Sequence, residues 1–160
     1  MKIRVVWFGR TASGPFDGEI ESYRKRVRRR WQAEDVRLRP VQSARSTDPK
    51  RAVVVEGDAV LQRIPSRWSV VALAENGEAT DSEVFASWLA ERETNGAPGV
   101  VFIVGSDLGL DEGVLAKADK ILSLSAMTFS HQLARLLIWE QIFRATHILG
   151  GGGYHRPGVQ

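Results

Sequence analysis

The chain has 160 residues, no cysteine, 43% apolar side chains and a formal charge of +3. That length suits one domain with a full core, and the missing cysteine excludes disulfides, thiolate metal sites and cysteine redox chemistry. The opening apolar run is too short for a signal peptide or a membrane span, so a cytoplasmic protein is expected.

In chain order, Lys2–Phe8 predicts a first strand, rich in β-branched and aromatic residues. Gly9-Arg10-Thr11-Ala12-Ser13-Gly14 follows with the glycine spacing of a phosphate loop. Pro15-Phe16 stand where that loop needs Lys and Ser or Thr, which argues against a nucleoside triphosphate site. Asp17–Arg29 predicts a helix on the spacing of Ile20, Tyr23 and Val27. Six of the seven residues from Arg24 to Arg30 are basic, and five of those six are Arg. The planar fork of arginine suits phosphate, so this run favours a polyanion over a merely solvated face. The asymmetry extends further: residues 1–51 hold fourteen basic against six acidic side chains, and residues 52–160 hold eight against thirteen.

Val36–Val41 predicts a second strand, and Asp48-Pro49 opens a helix to about Arg63 with Asp as N-cap and Pro at its first position. Trp68–Ala74 predicts a third strand, turned by Asn76-Gly77. Asp81 caps a helix through Asn95, ended by Gly96 and Pro98. Val100–Val104 is a continuous apolar strand of the buried parallel kind. A short helix over Asp111–Ala118, a strand over Lys120–Leu124 and a helix over Ser130–Thr146 complete the chain. Strand and helix alternate throughout, which predicts an α/β fold with a mostly parallel sheet of five to six strands and helices on both faces. In the last helix, Leu133, Leu136, Leu137, Ile138, Trp139, Ile142 and Phe143 cover more than one face, which calls for a second cover such as another copy of the chain. Glu140 and Arg144 are spaced for an ion pair.

Gly105-Ser106-Asp107-Leu108-Gly109 follows a strand but does not match the dinucleotide fingerprint. The three histidines, His131, His147 and His155, have no paired spacing and no carboxylate cluster, so no metal is expected. His131 reads as a capping or core histidine and His147 as a helix-end charge partner. His155 lies between Tyr154 and Arg156 after four glycines, where the three together can stack on a base, move a proton and hold a phosphate. The glycine loop and the segment Leu122–Phe129 each follow a strand. Both loops therefore fall at one edge of a parallel sheet, around a pocket for an adenosine-sized ligand.

The run Leu124-Ser125-Ala126-Met127-Thr128-Phe129-Ser130-His131, then Leu136 and Glu140-Gln141-Ile142-Phe143-Arg144-Ala145, and the closing Tyr154-His155-Arg156 resemble the ribosomal RNA large-subunit methyltransferase H family of SPOUT enzymes. The resemblance implies a C-terminal trefoil knot, a homodimer and S-adenosyl-methionine held by the knot loops. The implied substrate is a pseudouridine of 23S ribosomal RNA, methylated on ring nitrogen 3. It assigns cofactor contacts to Leu73, Gly105, Leu124, Ser125, Ala126, Met127, Thr128 and Phe129. Tyr154, His155 and Arg156 take catalytic and RNA contacts, with Arg144 also on RNA. The chain departs from the family at Ser106, where a second glycine is common, at Ser130, where proline is common, and in Gly150–Gly153. Two other readings stand beside this one: a non-catalytic RNA-binding module, and a nucleotide-cofactor enzyme on a Rossmann sheet, disfavoured by the missing fingerprint.

Overall fold

Val100–Val104 is buried at every position because it runs through the middle of a sheet covered on both sides. The structure, a computed structural model, describes residues 1–11, 13–41 and 48–151. Its strands are β1 (Lys2–Phe8), β2 (Gln32–Leu38), β3 (Ser69–Ala79), β4 (Gly99–Val104) and β5 (Lys120–Ser123). Its helices are α1 (Asp17–Val27), α2 (Pro49–Leu61), α3 (Ser82–Thr94), α4 (Glu112–Lys117) and α5 (His131–Leu149). The five strands form one sheet in the order β2-β1-β4-β3-β5, and every ladder is parallel. No described helix is long and apolar enough to cross a membrane.

The two-residue period of the strands divides the core. Ile3, Val5, Trp7, Val100, Phe102 and Val104 face one layer, built from α1, α3 and α5. Val6, Phe8, Val101 and Ile103 face the other, built from α2 and α4. The starts of α2, α3, α4 and α5 are set by side-chain caps. The Asp48 carboxylate accepts from the Lys50 and Arg51 amides, Asp81 from Val84, Asp111 from Gly113, and Ser130 from Leu133.

Two expectations need correction. The second strand is Gln32–Leu38 rather than Val36–Val41. Its polar stretch Gln32-Ala33-Glu34-Asp35 pairs in register with β1 from Lys2↔Gln32 onward, because tertiary partners satisfy Asp35 and override its poor strand propensity. The third strand does not end at Asn76-Gly77 but continues to Ala79. Leu73 and Glu78 both pair with Leu122, so the residues between them bulge out of the ladder. Gly77 is required at the return: a Cβ there would stand 2.8 Å from the Ile121 carbonyl oxygen and from the Leu122 carbonyl carbon.

The broad apolar surface of α5 is met largely within the chain. α5 packs on both α1 and α3 as well as on the sheet, and Ile138, Trp139, Ile142 and Phe143 are buried. Leu133, Leu136 and Leu137 stay half-exposed.

A polar knot fastens α5 to the sheet. Arg135 and Asp35 each expose only 6% of their side chains and meet at 2.7 Å. The Asp35 carboxylate also accepts from the Trp7 indole at 2.9 Å and the Trp139 indole at 2.7 Å. Arg135 lies 3.8 Å over the Trp7 ring and donates to Asp17 at 2.7 Å. Arg135→Met leaves the Asp35 carboxylate buried without its cation, a loss of about 3–5 kcal/mol, to be read from the urea unfolding midpoint.

Burial pushes the Asp17 carboxyl up, but the Gly14 amide and the Arg135 guanidinium outweigh it and hold it below its ordinary 3.8. Burial likewise raises Glu93, and the Trp31 indole, Arg30 and the chain's amino terminus bring it below its ordinary 4.5. A lowered native value favours folding at pH above the unfolded value, and that contribution is lost as pH falls through the native one. The double variant Asp17→Asn, Glu93→Gln is therefore less stable than the parent at neutral pH and loses less further stability below about pH 4.5. Thermal unfolding across an acid series checks both parts.

Candidate functional site

β4, β3 and β5 are neighbours, so the segments that leave their carboxyl ends converge at one edge of the sheet. They enclose a cavity of about 780 Å³. The β3 bulge supplies Ala74, Glu75 and Asn76, the glycine loop supplies Gly105–Leu110, and the third wall is the segment from Leu124 into the start of α5.

Each wall is held by identifiable bonds. In the glycine loop, a Cβ on Gly105 would stand 2.9 Å from the Gly109 carbonyl oxygen, so the loop folds back closely only over glycine. The Gly109 amide closes that turn on the Ser106 carbonyl at 3.0 Å. Ser106 Oγ donates to Glu56 Oε2 at 2.6 Å and accepts from the Leu108 amide at 3.1 Å. Glu56 is buried on α2, and its other oxygen accepts from the Val41 amide at 2.8 Å. A buried carboxylate with two donors is a stable post, and it ties the loop to the opposite layer of the fold.

The third wall is stitched to the β3 bulge. Ser123 Oγ lies 3.0 Å from the Glu75 carbonyl oxygen and 2.9 Å from that of Ser125, and its proton serves the pair. Ser125 Oγ accepts from the Met127 amide at 3.0 Å, and Thr128 Oγ1 donates to the Glu75 carboxylate. Across the mouth, His131 Nδ1 lies 3.1 Å from Asp107 Oδ1, and Arg10 approaches the other Asp107 oxygen at 3.9 Å. The rim thus carries two carboxylates, Glu75 and Asp107, on exposed residues.

Seven of the eight residues assigned to cofactor contact lie on this cavity: Leu73, Gly105, Leu124, Ser125, Met127, Thr128 and Phe129. Ala126 is exposed and not part of its lining. Arg144 sits further along α5, where its guanidinium pairs with Glu140. Tyr154, His155 and Arg156 lie outside the described residues. The sequence reading missed Glu75, Asp107 and the role of His131. His131 is neither a cap nor a core side chain but part of the cavity wall. Its place directly after the Leu124–Ser130 segment was the available signal; Glu75 was hidden because the strand was expected to end at Ala74.

The run Arg24–Arg30 divides in two. Arg24 donates to the Ala33 carbonyl and faces the Trp139 ring, and Arg26 stacks 4.1 Å from the Phe143 ring centre. Lys25, Arg28, Arg29 and Arg30 are exposed.

Residues 1–155 match a family described as "Predicted SPOUT methyltransferase". A curated relative from Anaeromyxobacter sp. (strain Fw109-5), named ribosomal RNA large subunit methyltransferase H, is 38% identical over 156 residues, covering 98% of this chain and all of the relative. Relatives of the same name from Trichlorobacter lovleyi and Clostridium beijerinckii are each 33% identical, covering 97% and 98% of this chain and 99% and 100% of their own lengths.

Ser106→Ala removes both bonds that hold the glycine loop to Glu56 and Leu108. At about 1 kcal/mol each, amide exchange at Leu108 should quicken by roughly 5- to 30-fold, and the buried Glu56 oxygen left without its donor should lower global stability by about 1–3 kcal/mol, as read by hydrogen–deuterium exchange beside denaturant unfolding.

Proposed function

Because the chain belongs to the SPOUT methyltransferases, and within them to the ribosomal RNA large subunit methyltransferase H family, we propose that it methylates ring nitrogen 3 of a pseudouridine in 23S ribosomal RNA. The methyl donor is S-adenosyl-methionine. The enzyme acts in the cytoplasm as a homodimer, on rRNA within assembled ribosomes.

The observation that carries this reading is the cavity at the carboxyl edge of β4, β3 and β5. Its volume lies in the range of small-molecule and cofactor sites. Its walls combine apolar side chains with loop backbone, and its rim bears the Glu75 and Asp107 carboxylates. A ligand with an adenosine, a sulfonium and an ammonium needs apolar contact, backbone donors and acceptors, and negative charge. The donor set fits that need, and the Gly105 turn that shapes the wall tolerates no Cβ.

Leu73, Leu124, Met127 and Phe129 give apolar contact in this scheme. Gly105, Ser125 and Thr128 give close backbone approach and small polar groups, whereas Ala126 lies outside the lining. When bound, the donor would supply a methyl group activated by the sulfonium charge, the S–C bond breaking as the new bond forms so that the sulfur leaves as a neutral thioether. The protein's task is alignment of acceptor nitrogen and donor carbon, an effect that can lower the barrier substantially. The acceptor nitrogen carries an imide proton. His155 takes it as the N–C bond forms, general-base help of about 10²–10⁴-fold. Arg156 stabilises negative charge that develops on the ring, Tyr154 stacks on the base, and Arg144 holds the RNA backbone. The half-exposed Leu133, Leu136 and Leu137 on α5 support a contact with the second copy.

Tritium transfer from labelled donor into 70S ribosomes, free subunits and naked rRNA tests the whole reading; label on pseudouridine of 23S rRNA is expected, and none in any substrate rejects it. Gly105→Val should abolish donor binding in calorimetry while the unliganded protein stays folded. His155→Ala should lower kcat by about 10²-fold or more and flatten its pH profile; a parent-like rate and profile would remove the base role.

A further inference from the structure

The cations from Lys25 to Arg30 sit at the opposite end of the sheet from the cavity. α1 ends at Val27, and Arg28–Arg30 turn directly into β2 at Gln32, which pairs with Lys2 at the start of β1. The cavity lies at the other ends of the strands. The six residues of β4 alone separate the two poles by roughly 20 Å at about 3.3 Å per residue.

The cations that point outward at this pole differ from those the fold consumes. Arg24 and Arg26 are packed on Trp139 and Phe143. Arg28 shares Glu21 with Arg24, and Arg30 pairs with Glu93. Lys25 and Arg29 are exposed, and among the described residues neither has a carboxylate within ion-pair distance. Framework contacts thus absorb part of the run. What is left is a positive ridge of Lys25 and Arg29, joined by the exposed Arg28, because Arg24 and Arg28 together face the single carboxylate of Glu21. Among the described residues, the large exposed apolar side chains, Val54, Val55, Val84 and Met127, all lie elsewhere. A protein interface would need an apolar centre; a cation-rich patch without one fits a phosphate backbone.

We propose that this ridge is a second rRNA docking surface, which grips backbone phosphates remote from the reacting base and contributes affinity without touching the methyl-transfer chemistry. The proposal rests on the rRNA methyltransferase reading for its substrate, but the ridge is measurable without catalysis.

The test is the triple variant Lys25→Gln, Arg28→Gln, Arg29→Gln, beside the charge-conserving Lys25→Arg, Arg28→Lys, Arg29→Lys. Binding to protein-free 23S rRNA is measured across a salt series, and methyl transfer to ribosomes across substrate concentration. The glutamine variant should bind donor like the parent, keep kcat, raise KM for ribosomes at least about fivefold, and reduce the slope of log affinity against log salt by roughly 2–3. The charge-conserving variant should restore both affinity and slope. Unchanged rRNA affinity and salt slope would overturn the proposal, whether KM for ribosomes is unchanged or rises; in the latter case the ridge meets ribosomal protein. A parent that binds rRNA through the ridge but transfers no methyl group would refute the enzymatic reading and leave the docking surface standing.

Discussion

One buried carboxylate holds the architecture in register. Asp35 stands in β2 and gathers the indole of Trp7 from β1 and both the indole of Trp139 and the guanidinium of Arg135 from α5. A lone charge there would be strongly unfavourable, and the cation and two donors offset its desolvation. The geometry is demanding, so α5 has one depth and one rotation against the sheet. The start of α5 then fixes Ser130 and His131, and with them the segment Leu124–Phe129 that walls the cavity. The same Arg135 reaches Asp17, whose carboxylate accepts from the Gly14 amide, so the loop after β1 is set by the same centre.

The cavity is a product of three chain exits that tie to one another rather than to a ligand. Glu56 posts the glycine loop onto α2, and Ser123 and Thr128 fasten the third wall to Glu75. This preorganisation matters for a reaction whose donor arrives activated. Where alignment is the main task, rigidity of the walls is worth more than any single functional group.

The fold class and most elements could be read from the sequence because they rest on local signals. β4 announces itself as an unbroken apolar run, and Asp48, Asp81 and Ser130 mark helix starts by their capping chemistry. The errors occur where distant partners decide. Asp35 looks unsuited to a strand until Trp7, Trp139 and Arg135 surround it, and nothing local shows them. Asn76-Gly77 has genuine turn chemistry, yet the chain resumes its ladder beyond it because β5 offers Leu122 twice. One wall of the cavity could be found from the Leu124–Phe129 motif, whose residues are contiguous. Glu75 and Asp107 come from other strand ends and become neighbours of that motif only through the order β4-β3-β5.

That strand order also bears on how the protein is made. Among the described residues no two strands are joined by a hairpin; every ladder is parallel and closes a long stretch of chain, a topology that folds slowly. β5 joins the edge of the sheet last in sequence, and its partner is the bulged end of β3. Two cavity walls, the bulge and the segment after β5, therefore take shape together only when the final ladder closes and α5 docks. A nascent chain emerging from the ribosome exposes the apolar strands β1 and β4 with no ligand site to stabilise them, so cofactor binding can reward only the finished fold.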